Sequence, residues 1–245
     1  MKKTTQTLAV IALSAIMLTG CETANTPTTA NTSTSVIATP STPLTNEMTP
    51  KTAPAETTAT PALTAEVQSD APKTGDQIAT IDTDMGTIKV RLFANGVPTL
   101  TKNFVELAKS GKYTDTPFHR VVKNFMIQGG DFTKKNGTGG YSFNGPDTYL
   151  PNEINFAYHH TYGAISMAKT GEPVSIGSQF FIVTNPNGAG FLDGNYSPFG
   201  QVYEGMDVAE KIQNLQKPGT EMPSKTVNVK KVTIETYAAP TAPVK

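Results

Sequence analysis

Apolar and polar positions divide the chain into three regimes. Leu8 to Leu18 is a short apolar run behind Met1-Lys2-Lys3. From Glu22 to about Gln77 large apolar side chains nearly vanish, and Thr, Ala, Pro and Ser dominate. Beyond Ile78 the apolar positions become periodic. Ile78–Asp82 and Thr87–Phe93 are β-rich, and Asp82-Thr83-Asp84-Met85-Gly86 between them is turn chemistry, so a hairpin is predicted. Leu100, Phe104, Leu107 and Ala108 recur at helical spacing behind Pro98 and ahead of Gly111, which predicts an amphipathic helix with a core-facing stripe. Strands follow at Gly163–Ala168 and Gln179–Thr184, with a second helix over Met206–Leu215 whose Met206, Ala209 and Ile212 face inward. Thr226–Tyr237 is a closing strand in which Val227 and Val229 alternate with polar residues before the pattern changes face ahead of Val232 and Ile234. The result is a β-dominated domain over 78–237, two helices and a short Ala/Pro-rich tail over 238–245. Periodicity does not choose between sandwich and barrel.

One stretch departs from plain core. In Phe118-His119-Arg120-Val121-Val122-Lys123-Asn124-Phe125-Met126-Ile127-Gln128-Gly129-Gly130-Asp131, a guanidinium and an amide interrupt an apolar run. Alternation puts Phe118, Arg120 and Val122 on one strand face and His119, Val121 and Lys123 on the other, with Met126 and Gln128 sharing a face further on. Two readings stand on pattern alone. One is an edge strand whose Arg120 snorkels to water; the other is an apolar pocket with a fixed cation at its lip.

Other candidate chemistry is thin. Gly137-Thr138-Gly139-Gly140 lacks the Gly-Lys-Ser/Thr continuation of a phosphate loop. His159-His160 would point to opposite faces of a strand, and no cysteine or close carboxylate joins them in sequence, so no metal site is predicted. Acidic and basic side chains balance at 20 each, and no basic run is present, so nucleic acid is not an expected partner.

The N-terminus carries a separate message. A positive start and an apolar run too short to span a bilayer read as an export signal over 1–20. Leu18-Thr19-Gly20-Cys21 resembles the lipobox of bacterial lipoproteins, in which the cysteine carries acyl chains. Cys21 is the only cysteine, so no intramolecular disulfide can form. Residues 21–77 cannot bury enough apolar area to offset the entropy of ordering, and they read as a disordered tether or a glycosylated stalk. About 55 flexible residues span on the order of 40 Å. The expected location is the bacterial cell envelope, lipid-anchored, with Glu22 favouring the outer membrane of a Gram-negative cell.

The 118–131 stretch closely resembles the signature of the cyclophilins, the peptidyl-prolyl cis-trans isomerases. The resemblance continues at Asn136–Gly140, Ile165–Ala168, Gly177–Ile182, Phe191–Gly194 and Phe199-Gly200, in family order and across roughly 78–236. It implies a closed eight-stranded antiparallel β-barrel capped by a helix at each end. It also implies that Arg120 is catalytic and that Phe125, Met126, Phe181 and Leu192, with Ala168 nearby, grip the proline ring. Gln128 and Gln179 would hold the peptide backbone, while His119, Lys169, Phe191 and Tyr196 would complete the lining. Phe191 stands where many members carry Trp, Tyr196 where they often carry His, Lys169 where many carry Asn, and Lys123 replaces a frequent Pro. The first two of these departures bear on cyclosporin affinity and on substrate preference.

The chemistry implied needs no cofactor and no metal. Amide resonance sets a barrier of about 18–20 kcal/mol to rotation about an X-Pro bond. A donor aimed at the pyramidalising prolyl nitrogen stabilises the twisted state over both planar ones, and arginine keeps its charge throughout. Proline-containing, partly folded polypeptides are the expected partners of a monomeric enzyme. The alternatives are a proline-peptide-binding chaperone that needs no turnover, and a structural surface lipoprotein, against which the retained pocket residues argue.

Overall fold

The computed structural model describes residues 67–240. The expected signal peptide, Cys21 and most of the expected tether and tail lie outside the described residues. Among those described, no helix is long and apolar enough to cross a membrane.

Strands β1 (Gln77–Thr83) and β2 (Gly86–Leu92) form the predicted hairpin, with Thr83 paired to Gly86. Helix α1 (Pro98–Lys109) follows. It has no N-cap side chain of its own; the Leu100 amide instead donates to Glu153 Oε2 at 3.0 Å, so a distant carboxylate satisfies a free helix-end N–H. Three short strands come next: β3 (Thr116–Pro117), β4 (Arg120–Val122) and β5 (Met126–Gly129). The loop region holds β6 (Tyr141–Ser142), β7 (Gly145–Pro146) and β8 (Leu150–Pro151). The remaining elements are β9 (Ala164–Met167), β10 (Val174–Ile176), β11 (Phe180–Val183), β12 (Pro198–Glu204), helix α2 (Met206–Gln213) and β13 (Asn228–Thr236).

Nine strands make one antiparallel sheet in the order β3-β13-β1-β2-β12-β9-β11-β5-β4. The edge strands β3 and β4 are separated in the chain only by Phe118 and His119. A flat sheet of this width would hold its edges on the order of 40 Å apart, whereas so short a link spans only about 10 Å. The sheet is therefore strongly curled. Where an eight-stranded barrel is expected, the curled antiparallel sheet has nine strands, with β3 and β4 at its two ends. The cause is local. The strand alternation expected over 118–123 breaks at Phe118-His119.

That break also corrects the expected face assignment. Phe118 and Val121 are both fully buried in the main core, while Arg120 and Val122 lie on the opposite side of the sheet. Phe118 and Arg120 therefore do not share a face. The Phe118 ring meets Phe180 edge-on at 6.4 Å.

The main core fills the concave side. Phe104 of α1 is its centre, with ring centroids 5.1 Å from Tyr113, 5.6 Å from Phe180 and 5.1 Å from Phe199. Helix α1 packs on β12 and β13; α2 packs on β2, β4 and β5. Gly205 begins α2 at φ 90°, where a Cβ would collide with the Thr87 carbonyl, so glycine is required. The change of face in β13 has a backbone cause: a bulge at Lys230 shifts the register against Asp82 and Thr83, and burial moves from Val229 to Val232.

Two expectations shift at the edges of the domain. Strand β12 carries no clear signal, because Pro198 and Gly200 interrupt it; a Cβ on Gly200 would lie 2.7 Å from the Arg91 carbonyl oxygen. Packing also begins before residue 77. The guanidinium of Arg91, 2% exposed, donates to the carbonyls of Val67 and Gln68 at 2.7 and 3.1 Å. Gln68 exchanges two hydrogen bonds with the His159 backbone, at 2.6 and 2.7 Å. Residues 67–76, assigned to the tether by composition, are thus held by backbone hydrogen bonds that composition does not register.

Phe104→Ala should cost about 3–5 kcal/mol of stability, because it opens a cavity among three aromatic rings. Urea denaturation measures it, and a loss under about 1 kcal/mol would contradict this placement of the core centre.

Candidate active site

The site lies on the convex side of the sheet. Register places Arg120 opposite Gln128 and Val122 opposite Met126, then Gln128 opposite Phe181 and Met126 opposite Val183. These six strand positions, whose neighbours Val121, Ile127 and Ile182 enter the main core, thus present their side chains outward. Strands β9 and β11 are buried at every position, because a second apolar cluster of Met126, Ala164, Phe181, Val183 and Ala189 covers their outer face. Phe125, Ala168, Leu192 and Tyr196 pack against that cluster.

Arg120, Phe125, Met126, Gln128, Ala168, Lys169, Phe181, Leu192 and Tyr196 line one open cavity of about 100 Å³. Residues from five separate stretches converge there. The floor is apolar, and Phe181 is 5% exposed. At the rim the Arg120 guanidinium donates from Nη1 to Gln128 Oε1 at 3.3 Å and from Nε to Glu221 Oε2 at 2.6 Å. Gln128 Nε2 donates to Gln179 Oε1 at 3.0 Å, and Gln179 Nε2 to the carbonyls of Gly137 and Gly139, both at 3.0 Å. Lys169 lies over the Tyr196 ring at 4.9 Å.

The other candidates fall nearby. Gln179 lines an adjacent depression of about 200 Å³, which shares Gln128, Ala168 and Lys169 with the first. Phe191 is 71% exposed and outside the cavity lining, but its ring lies tilted against Phe125 with centroids 5.5 Å apart. His119 does not line the cavity. Its ring sits behind the site under Gly137, where a Cβ would approach its Cδ2 at 3.0 Å. Burial lowers its pKa; the Asp131 carboxylate opposes this and Arg120 reinforces it.

Several residues to which the sequence reading assigned no role carry the site. Asp131, 1% exposed, anchors the loop beside the cavity. Its Oδ1 accepts from the amides of Thr133 and Lys134 at 3.2 and 2.9 Å and from the Thr133 hydroxyl at 3.0 Å. Its Oδ2 accepts from the amides of Asn136, Gly137 and Gly139 at 3.2, 2.9 and 3.1 Å. A Cβ on Gly139 would strike both Thr133 Oγ1 and this carboxylate, so the glycine lets the backbone wrap it closely. Burial alone would raise the Asp131 pKa. The amides of Lys134, Gly137 and Gly139 outweigh burial and hold the pKa down at about 2.

The two adjacent histidines behave unlike the strand expectation. Both converge on Asp193: His159 Nδ1 at 2.9 Å from Oδ2, His160 Nδ1 at 2.7 Å from Oδ1. A carboxylate does join them, brought from 33 residues away. His160 Nε2 lies 3.1 Å from Ser166 Oγ, which completes a Ser–His–Asp chain. Ser166 is fully buried, so no substrate carbonyl can reach it, and the chain is not a nucleophilic device. It ties the 3₁₀ turn Gly190–Leu192, and with it Leu192, to β9, while the His160 ring stacks at 5.9 Å on Phe181. Burial lowers the His160 pKa against the opposing pull of Asp193. Among the described residues no cluster of three or more His, Cys, Asp or Glu could hold a metal ion.

Comparison with known proteins follows this geometry. The family profile "Cyclophilin type peptidyl-prolyl cis-trans isomerase/CLD" matches residues 78–234. Peptidyl-prolyl cis-trans isomerase B of Saccharomyces cerevisiae is 41% identical over 152 residues, 60% of this chain and 72% of that protein. Peptidyl-prolyl cis-trans isomerase cypE of Dictyostelium discoideum is 44% identical over 142 residues, 58% of this chain and 87% of that protein. Peptidyl-prolyl cis-trans isomerase-like 2 of Rhizopus delemar is 41% identical over 155 residues, but the chain spans only 28% of its length. The crystal structure of a cyclophilin type peptidyl-prolyl cis-trans isomerase from Cryptosporidium parvum covers 66% of this chain and 99% of its own, at TM-score 0.62 and 34% identity. A second crystal structure of that protein, in the presence of the dipeptide Ala-Pro, gives TM-score 0.61 and 33% identity.

Because the Asp131 pKa is depressed in the fold, its contribution to stability is complete above the ordinary carboxylate value of 3.8 and is lost as pH falls toward about 2. The urea midpoint should drop across that window. In Asp131→Asn it should start lower and change less there. Parallel pH profiles for the two proteins would contradict the assignment.

Proposed function

This chain belongs to the family of cyclophilin-type peptidyl-prolyl cis-trans isomerases, and from that premise we propose that it accelerates X-Pro isomerisation in exported polypeptides. The observation that carries the proposal is a guanidinium fixed at the rim of an apolar cavity of about 100 Å³. The proline ring enters between Phe125, Met126, Phe181 and Leu192. Gln128, and Gln179 beside it, hold the flanking peptide backbone. Arg120 donates to the prolyl nitrogen as the amide loses planarity and its lone pair localises.

Magnitudes define what Arg120 must supply. A hydrogen bond to a charged group contributes about 1.5–3 kcal/mol, and a preorganised donor in a water-poor site about 2.7–4 kcal/mol. At 1.36 kcal/mol per decade that is roughly two to three decades of rate. Any further acceleration comes from gripping the ring while the preceding carbonyl swings. No group need gain or lose a proton. His119, neutral by burial and behind the site, packs the Gly137 loop and does not act as a base.

The closed barrel is part of the same proposal. Residues 118–121 join the two edges of the sheet, the Phe118 and Val121 amides donating to the Val227 and Glu221 carbonyls at 3.0 and 2.7 Å. Slow deuterium exchange at both amides is the expected sign, and fast exchange at both would oppose closure.

We further propose that the domain works at a bacterial cell envelope, attached through acyl chains on Cys21 and held off the bilayer by the Thr/Ala/Pro-rich stretch. The support is in the sequence: a positive start, a short apolar run and Leu18-Thr19-Gly20-Cys21. Buried acyl chains contribute about 0.8 kcal/mol per methylene, so two or more chains give a stable anchor. Cys21→Ala should abolish incorporation of radioactive fatty acid, and undiminished labelling would remove the anchor.

Arg120→Ala should slow isomerisation of a proline tetrapeptide about 10²–10³-fold with the fold intact. Chymotrypsin-coupled or NMR-exchange assays measure it. Equal rates in the two proteins would overturn this mechanism and favour a proline-peptide-binding chaperone.

A further inference from the structure

We infer that Glu221 is a positioning residue for the reaction: it fixes the Arg120 guanidinium edge-on, so that the remaining Nη donors face the proline cavity. The inference rests on the isomerase reading of the site and adds a residue to it. Glu221 lies 101 positions from Arg120 and belongs to no block of the family resemblance.

The geometry is specific. A guanidinium has two edges that a single acceptor can occupy, one at Nε and one at the far Nη pair. Glu221 Oε2 takes the Nε–H at 2.6 Å, and Gln128 Oε1 takes Nη1 at 3.3 Å. Two anchors on different atoms define the plane of the group as well as its position. The hydrogen atoms left over belong to Nη1 and Nη2.

The loop that presents Glu221 is held to β4 and within itself. The Val121 amide donates to the Glu221 carbonyl at 2.7 Å, so the backbone of Glu221 pairs with the residue after Arg120. The Lys123 and Asn124 amides donate to the side chains of Gln216 and Gln213 at 2.7 and 3.0 Å. Within the loop, the Lys217 amide donates to the Met222 carbonyl at 2.8 Å and the Ser224 amide to the Leu215 carbonyl at 2.6 Å. The carboxylate therefore arrives at Nε from a fixed base.

Energetics separate this role from a structural one. The side chains of Arg120 and Glu221 are 37% and 58% exposed, and ion pairs at such exposure add little to stability. The pair's value lies in orientation. An Arg side chain has many rotamers, and the one that reaches the prolyl nitrogen must be populated before the amide twists. Fixing Nε selects it without consuming the donors that the twisted amide needs. The contact also lowers the Glu221 pKa, its hydrogen bond from Arg120 being the largest cause, so the carboxylate stays charged wherever the enzyme operates at neutral pH.

The test compares wild type, Glu221→Ala and Glu221→Gln in the described domain with its preceding chain. Glutamine keeps an oxygen acceptor for Nε–H, and alanine does not. The main-chain bond to Val121 survives in both, so the fold is retained, which circular dichroism checks. For Glu221→Ala, kcat should fall about three- to tenfold while KM stays within about twofold, because the anchor acts on the transition-state donor and not on the ring pocket. Glu221→Gln should recover most of the loss. Independently of turnover, the Arg120 Nε–H resonance in ¹H–¹⁵N NMR should be sharp and slow to exchange in wild type and broadened in Glu221→Ala. Wild-type turnover with Glu221→Ala equal to it would overturn the inference. So would an Arg120 Nε–H signal identical in both proteins. A wild type without turnover but with the Glu221-dependent signal would overturn the isomerase reading and leave the anchor standing.

Discussion

The register that sets Arg120 opposite Gln128, and Gln128 opposite Phe181, is the constraint on which the molecule's chemistry depends. Side chains on one face of antiparallel neighbours lie about 5 Å apart. A cation, an amide and an aromatic ring therefore stand in a row whose spacing the backbone sets. A slip of one residue would send Arg120 into the core among Ile127 and Ile182 and push Val121 outward. The large burial on the concave side, with Phe104, Phe118, Phe180 and Phe199 among its rings, makes that slip prohibitively costly. Core packing and site geometry are consequences of one alignment.

Around that row the polar groups form a continuous relay. It starts at Glu221, passes through Arg120, Gln128 and Gln179, and ends on the carbonyls of Gly137 and Gly139. The amides of those two glycines return to Asp131. Each residue of the relay donates to the next acceptor, which leaves the remaining Nη hydrogens of the guanidinium free at the partly exposed rim. The loop of 131–140 is stiffened by a carboxylate at its base, and Leu192 on the other side is held by a second one, Asp193, through His160. Both walls of the cavity are thus fixed from behind by groups that never meet the ligand. A mechanism built on aiming a donor at a short-lived lone pair needs this stiffness, since a donor that wanders by an ångström loses most of its effect.

The two sides of the sheet explain why some sequence patterns were readable and others misleading. Val227, Val229 and Val232 advertise their burial, and even their change of phase, because one bulge at Lys230 accounts for it. Strands β9 and β11 are apolar throughout, and that marks them as covered on both faces, although not what covers the outer one. The alternation through 118–122 failed at Phe118-His119, where the chain leaves one edge of the sheet and joins the other. Strict two-residue periodicity cannot hold across such a crossing. Strand β12 was hidden by Pro198 and Gly200, the glycine standing where neighbouring strands approach closely.

What the sequence determined by itself is local and chemical. It contains the hairpin, both helices and the β-dominated domain, which follow from residue type and short-range spacing, and, through the resemblance of its ordered blocks, the family and a list of candidate pocket side chains. The tertiary structure alone decided which groups stand behind those side chains. Glu221 reaches Arg120 across 101 residues, Asp193 gathers His159 and His160, and Arg91 holds the backbone at Val67 and Gln68. These are single contacts between distant segments, most of them to backbone or to one carboxylate oxygen. Such contacts leave no periodicity in the chain, because the partner is chosen by where the curled sheet brings the loops and not by what lies nearby in sequence.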